Sequence, residues 1–499
     1  MSSTETPTRP AAEHWSVPEL ARRPILLVAA VVGVALLATS WPYGYFGDEL
    51  YFIAAGTHHP SWAYADQPWL VPLLAAAIDS VFPGSVVALR VPGLILTVLG
   101  LVAAAQIARE FGGAGRAQTI TAIAYAISPQ LLGSGHLLST ATLDVFCWTL
   151  IIWLVIRWVR VREDRLLLFA GLITAVDLQV KFLIPFFWVA LVAVVLASGP
   201  RSLLTRPTLW IGGAVSVVAT APSLIWQVQH GWPQLEMQGA IAEQAALLGG
   251  RIGFLPLTVF FAGFLVGAFL LCHGFWKLLR SPELEPYRFI AWTAVVVTVV
   301  FIITNGKYYY VAGFYAPLFA ASAVHIERGQ IARWWRWVPG RVTFGFSAAF
   351  SVFLALPIVP AAMVNPNNFV SYASLGWQQT ADTVAQAYQG LPPEDQADSA
   401  VLTQTFWQAS ALEVYVREEL PPVHSPERGY WYFGPPSANA TNIVVVGSDS
   451  DFIAEECGQL EELAQVPPEE TGINHDVHVW ICRDLRVPLP ELWDTLRVL

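Results

Sequence analysis

RRPILLVAAVVGVALLATSWPYGYFGDELY, residues 22–51, sets the reading of the whole chain. Two arginines precede 18 residues without a charge, Pro24 to Trp41, a run that spans roughly 27 Å as a helix. A short aromatic turn follows, and then two adjacent acids, Asp48 and Glu49. The pattern predicts a membrane span with a basic inner end and an acidic pair at its outer boundary. A cleaved signal peptide would begin in the same way. Ten further apolar segments argue against it: approximately 86–107, 117–134, 138–156, 166–179, 182–198, 207–228, 254–276, 289–304, 308–324 and 342–362.

The rest of the composition agrees. Only 13% of the 499 residues are charged, against about 25% in a soluble domain. The charge is also sorted. Twenty of the 37 acids lie after residue 362, where they face five arginines and no lysine. The preceding sequence carries a small positive excess scattered through apolar residues. This excludes a single soluble enzyme, a secreted disulfide scaffold and, for want of a basic patch, a nucleic-acid binder. The expected fold class is an all-α polytopic membrane protein of about 11 transmembrane helices with a small C-terminal α/β extracytoplasmic domain. Residues 1–21 read as a disordered cytoplasmic N-terminus, 22–362 as the transmembrane domain with a first outer loop over 42–84, and 363–499 as the extracytoplasmic soluble domain.

Loop arginines orient the spans. Arg109, Arg116, Arg157, Arg160, Arg162, Arg165, Arg201, Arg206, Lys277, Arg280, Arg288, Arg328, Arg333, Arg336 and Arg341 all fall on one side, which must be cytoplasmic. The first outer loop has no lysine or arginine. Its stretch 69–81 is apolar but too short to span, and is expected along the interface. Lys181, Arg251 and Lys307 break the rule by facing outward, with Arg90 near the outer end of the second span. Within the tail, 377–389 reads as a helix and 401–403, 442–446 and 478–482 as strands. Cys457 and Cys482 lie there, outside the membrane, where a disulfide is permitted. Cys147 and Cys272 fall in spans.

Three motifs carry chemistry. Asp48-Glu49 stands in apolar, aromatic surroundings that suit a general base or a metal ligand, or a helix cap. Tyr64-Ala65-Asp66-Gln67-Pro68-Trp69-Leu70 places two polar groups before an interfacial helix begun by proline. Asn305-Gly306-Lys307-Tyr308-Tyr309-Tyr310 offers a point charge with phenols beside it, fit for a phosphate headgroup or for snorkelling in an aromatic belt. His136, Asp144, His230 and Trp232 complete the outward polar set. Asp144 lies inside a span and needs a partner, for which Arg90 and Lys181 are the candidates. His58, His59 and His230 could join Asp66 around a divalent metal, though no spacing is diagnostic and the metal stays open. There is no GxxxxGK[ST] and no strand-GxGxxG-helix, so a nucleotide-driven pump and a nucleotide-sugar enzyme lack support.

The acidic pair, the Y-x-D-Q-P-x-L element, the lysine–tyrosine motif and the outer tail together resemble the GT-C glycosyltransferases. More narrowly, they resemble the bacterial family 39 and 83 branch of protein mannosyltransferase-like, aminoarabinose-transferase-like and RgtA/B/C/D-like proteins. The likeness covers about residues 40–325, with Gly133–Asp144 and Gln227–Leu235 included. It implies a sugar donor carried on a polyprenyl phosphate, a cell-envelope acceptor and a plasma-membrane location. Asp48 would be the catalytic base or acceptor-orienting acid, with Glu49 in support. Lys307 with Tyr308 and Tyr309 would hold the lipid phosphate. Asp66 and Gln67, with His136, Asp144, Lys181 and His230, would line the substrate site. The chain departs from the pattern at Asp66-Gln67, where some relatives have acid–lysine, and at Val180-Lys181, where others have asparagine before the lysine. A lipid-linked-sugar transporter or flippase, and an envelope scaffold acting through its tail, are the alternatives.

Overall fold

The computed structural model describes residues 17–467 and 472–499. The expected disorder over 1–21 falls outside the described residues up to position 16. Beyond that the chain is pinned. Arg109 Nε donates to the Pro18 carbonyl, Gln118 Nε2 donates to that of Glu19, and the Ala21 N–H donates to Gln118 Oε1.

The apolar body is helical. Its elements are α1 (Arg22–Ala38), α2 (Gly47–His58), α3 (Leu70–Val81), α4 (Val86–Glu110), α5 (Gly115–Ala126), α6 (Pro129–Gly135), α7 (Thr140–Val161) and α8 (Arg165–Asp177). They continue as α9 (Ile184–Ser198), α10 (Pro207–Gln229), α11 (Pro233–Leu247), α12 (Gly250–Phe261), α13 (Phe264–Arg280), α14 (Arg288–Ile303), α15 (Tyr315–Glu327) and α16 (Arg341–Ala355). Of the eleven expected spans, part is borne out as long continuous helices. Among the described residues four helices are long and apolar enough to cross a bilayer: α4, α7, α10 and Pro282–Ile303, which contains α14. A fifth arises if α11 and α12, bent by 69°, count as one.

The difference has local causes that hydropathy does not register. The expected span 117–134 breaks at Ser128-Pro129, where the Ser128 hydroxyl caps α6 and Pro129 has no N–H to continue α5. The expected span 254–276 breaks at Gly263, whose φ of 145° no L side chain adopts readily. Helices meet where side chains are small. A Cβ on Gly171 of α8 would lie 2.3 Å from Gly212 Cα on α10, the close approach by which apolar helices associate without a hydrophobic driving force.

The tail folds on a five-stranded sheet, β1 (Ser399–Thr403), β2 (Val423–His424), β3 (Asn442–Gly447), β4 (Cys457–Gln465) and β5 (His478–Leu485), in the order β2-β1-β3-β5-β4. The parallel pair β1–β3 sets Val401 opposite Val444, and the antiparallel pair β3–β5 sets Val445 opposite Trp480. The expected strands 401–403, 442–446 and 478–482 and the helix 377–389 are all present. β4 was not foreseen, because Cys-Gly-Gln-Leu-Glu-Glu-Leu-Ala-Gln is a largely exposed edge strand without an alternating apolar face. Cys457 and Cys482 are joined in a disulfide. One hydrophobic cluster runs from Leu50, Tyr51 and Ile53 of α2 through Phe406, Leu412 and Tyr430 to Val444 and Val446, so the sheet and the first outer loop share a core.

Candidate active site

α2 begins where Phe46 leaves extended backbone, and both acids fall in its first turn, where the helix dipole favours negative charge. Adjacent positions on a helix diverge by about 100°, so the two carboxylates go different ways. Glu49 turns inward and is fully buried. It accepts from Phe46 N (2.9 Å), Leu138 N (3.0 Å) and Arg90 Nη2 (2.8 Å) and Nε (3.1 Å). Arg90 in turn donates to the carbonyls of Ser40 (2.7 Å) and Gly44 (2.8 Å). Its Nη1 lies 3.2 Å from His136 Nε2, which leaves Nδ1 to meet Thr39 Oγ1 at 3.3 Å. Burial, and then the Arg90 charge, pushes the imidazole well below its usual range. The ion pair fastens the turn 40–46 between α1 and α2.

Asp48 turns the other way and is half-buried. Its Oδ1 accepts from the indole Nε1 of Trp407 at 2.8 Å, across a separation of 359 residues. Gly47 makes this approach feasible, since a Cβ there would sit 2.3 Å from the Trp407 ring. Tyr51, one turn along α2, donates to Asp66 Oδ1 at 3.1 Å. A matching contact comes from Gly429, whose missing Cβ would lie 1.9 Å from the Tyr51 hydroxyl.

The charges around Asp48 act on one another. Lys307 is subject to Arg428, Asp48 and Asp66, while Lys181 is subject to Asp144, Lys307, Asp177 and Asp48. Burial, then Arg428, pushes the Lys307 ammonium down, and the two aspartates partly hold it up. Burial likewise pushes Asp66 up, aided by the Asp48 charge and opposed by Arg428. Lys181 Nζ stands 4.8 Å from the Tyr310 ring centre and 5.2 Å from that of Tyr309. Arg251 explains its own outward position. Its Nε donates to Asn305 Oδ1 (2.9 Å) and its Nη2 to the Ile303 carbonyl, which fixes the turn carrying Lys307.

The motifs are thus assembled selectively. Asp48, Asp66, Lys307, Tyr309, Lys181 and Asp144 share one neighbourhood at the helix ends opposite the arginine-bearing loops. Tyr308 instead stacks on Phe261. Gln67 is buried, and its Nε2 has no hydrogen-bond partner among the described residues. His230 is exposed and stacked on Trp226. His59 lies 3.1 Å from both oxygens of the buried Glu413, which also accepts from Tyr430 and Arg417. The histidines therefore do not gather around Asp66, and among the described residues no three His, Cys, Asp or Glu side chains form a set fit for a metal. Asp144 has Lys181, and not Arg90, as its cationic neighbour.

Two residues escaped the reading of the sequence. Trp407 and Arg428 both come from the tail. Arg428 has φ 49° and stacks its guanidinium 4.7 Å over Phe406. Its Nε has no hydrogen-bond partner among the described residues, the nearest ion pair being Glu427 at 4.0 Å. The available signal was an arginine set among aromatics, Glu427-Arg428-Gly429-Tyr430-Trp431-Tyr432-Phe433, in a tail otherwise acidic.

Residues 66–226 match the profile of the family described as dolichyl-phosphate-mannose-protein mannosyltransferase. The whole chain superposes on ArnT from Cupriavidus metallidurans in its apo state with a TM-score of 0.64, at 16% identity, covering 96% of this chain and 100% of that one. The form of the same protein bound to undecaprenyl phosphate gives 0.62 at 16% identity, covering 92% and 97%. The chain has the GT-C fold. No curated protein sequence matches it. The superposition extends over helical body and tail alike, so the tail that carries Trp407 and Arg428 lies within the matched fold. The resemblance to this superfamily is borne out by the profile over residues 66–226 and by the shared fold.

Proposed function

We propose that this GT-C protein is an integral membrane glycosyltransferase that moves a sugar from a polyprenyl-phosphate donor to a cell-envelope acceptor on the extracytoplasmic face. The observation that carries the reading is the joining of Asp48, from the first outer loop, with Lys307, from the turn after α14, in one buried field of charge. Glycosyl transfer needs one group of each kind. Asp48 takes the proton of the acceptor hydroxyl as its oxygen attacks the anomeric carbon. The bond from that carbon to the phosphate oxygen breaks, and its electron pair stays on the polyprenyl phosphate. Direct displacement of this sort inverts the anomeric centre. Lys307 and Arg428 stabilise the charge that develops on the leaving phosphate. Arg428 raises the local positive charge at Lys307, and its Nε has no hydrogen-bond partner among the described residues. A donor phosphate would accept from that Nε and from Lys307. The undecaprenyl phosphate held by the ArnT structure supports a lipid of this class.

The test is direct. Purified protein in liposomes is incubated with a panel of polyprenyl-phosphate sugars, and release of polyprenyl phosphate is followed with Asp48→Asn alongside. Sugar-dependent release by the wild type and none by the variant, at equal protein level, is the expected result. Equal release by both would remove Asp48 from the chemistry. Translocation of the lipid-linked sugar without transfer, surviving in the variant, would identify a flippase instead.

A further inference from the structure

A cavity of about 870 Å³ runs along α13 and opens at the end of the helices opposite Asp48. That is within the roughly 300–1,000 Å³ of small-molecule sites. Its shaft descends along α13 from the break at Gly263 and is walled by apolar side chains, among them Phe260, Ala268 and Phe269. Its mouth has a different character, with Trp276, Lys277 and Trp335 at the level of the arginine-bearing loops. Lys277 is one of three lysines in the chain. Its Nζ stands 4.9 Å from the Trp276 ring, and no acid of the described residues lies within ion-pair distance of it. The nearby acid Glu283 is engaged with His325 and Arg328. Beside the mouth runs Arg333-Trp334-Trp335-Arg336-Trp337, a turn whose Trp334 and Trp337 are exposed. Alternating indoles and guanidinium groups suit the headgroup layer of a bilayer.

An apolar shaft with one unpaired cation at its mouth fits an amphiphile whose acyl chain enters the shaft and whose anionic head meets the lysine. We propose that this cavity binds one anionic phospholipid of the leaflet at the arginine-bearing end, with its phosphate on Lys277. The donor lipid does not account for the feature. Its phosphate belongs with Lys307, beyond the start of α13, which is itself about 20 Å from Lys277 by the rise of the helix from Phe264, and a prenyl chain offers Lys277 no charge. The charge pairing is between lipid phosphate and ammonium, strengthened by the low dielectric of the headgroup boundary.

Delipidated full-length protein, titrated in detergent with phosphatidylglycerol or with phosphatidylcholine of the same chains and read by native mass spectrometry, tests the assignment. We expect one phosphatidylglycerol held about five- to ten-fold more tightly than phosphatidylcholine, the scale of one lysine–headgroup attraction. Lys277→Gln should erase that preference and move the melting temperature little, since Lys277 has no ion pair to lose and only a contact with the exposed Trp276 ring. Ala268→Trp, which fills the shaft, should weaken both lipids. Equal preference in the wild type and Lys277→Gln overturns the proposal. So does competitive displacement of phosphatidylglycerol by polyprenyl phosphate, which would assign the shaft to the donor and leave the transfer reaction itself untouched.

Discussion

Two assemblies of charge grow from neighbouring residues of α2 and are built on opposite principles. Around Glu49 every partner is accounted for: two backbone N–H groups and the Arg90 guanidinium meet its oxygens, and Arg90 spends its remaining donors on two carbonyls and His136. Around Asp48 the charges share a field while making few direct bonds. Asp48 has the Trp407 indole, Asp66 has the Tyr51 hydroxyl, and Lys307 has only distant neighbours. A saturated network has nothing left to offer a ligand and serves as a fastening. An under-paired one has capacity to spare. The contrast separates two acids that are indistinguishable by position in the sequence.

The sharpest way to break this comparison is to neutralise each acid in turn. Asp48→Asn should cut transfer by about 10²–10⁴-fold, the usual share of a general base, with no change in melting temperature. Glu49→Gln should behave in reverse. It strands Arg90 in the interior at a cost of about 3–5 kcal/mol, read as loss of folded protein in detergent. If Glu49→Gln melts like the wild type and fails only in catalysis, the division of labour is wrong.

A smaller effect belongs to the cations. Lys307→Ala and Arg428→Gln should each raise the apparent KM for donor about 10–100-fold, as loss of a charged hydrogen bond of about 1.5–3 kcal/mol requires. An unchanged donor dependence would exclude either residue from the phosphate site. Gly47→Ala is milder. Its Cβ displaces Trp407, and overpacking of about 1–3 kcal/mol should loosen the tail, seen as faster proteolysis between 363 and 399. Proteolysis at the wild-type rate would show that the contact is not a clasp.

The smallest effect lies far from both assemblies, in the sheet. His478 is raised above its ordinary range, first by its hydrogen bond to Glu462 and further by Asp476, with burial opposing. A raised folded-state value means that its stabilisation is complete below the unfolded value near 6.5 and fades as the pH climbs through the folded one. His478→Ala should therefore lower the melting temperature slightly at pH 6, on the scale of about 0.5 kcal/mol for an exposed pair, and not at all at pH 9. An equal loss at both pH values would point to packing on Trp480 instead.

Much of this is legible in the sequence. The charge-free run Pro24–Trp41 and the sorting of arginines to one set of loops announced a polytopic body. Asp48, Asp66 and Lys307 were visible as polar residues out of place in apolar sequence. Continuity of the spans was not legible, because Ser128-Pro129 and Gly263 interrupt helices without lowering the hydropathy around them. Nor was the separation of Glu49 from Asp48, which depends on Arg90 lying across from one face of α2. The contributions of Trp407 and Arg428 depend on a long-range packing that no local pattern encodes, though Gly47 and Gly429 mark where it happens.

That packing has a consequence for the order of events in the cell. The cluster opens with a residue translated early and is closed by a guanidinium translated near the finish. While the chain is still threading into the bilayer, Asp48 lacks its indole and Lys307 lacks its companion cation. On the proposed topology, competence arrives only when the tail has crossed, folded and seated itself on α2. On the proposed function, biogenesis itself is a safeguard, since a half-inserted protein has no assembled site with which to consume a lipid-linked donor.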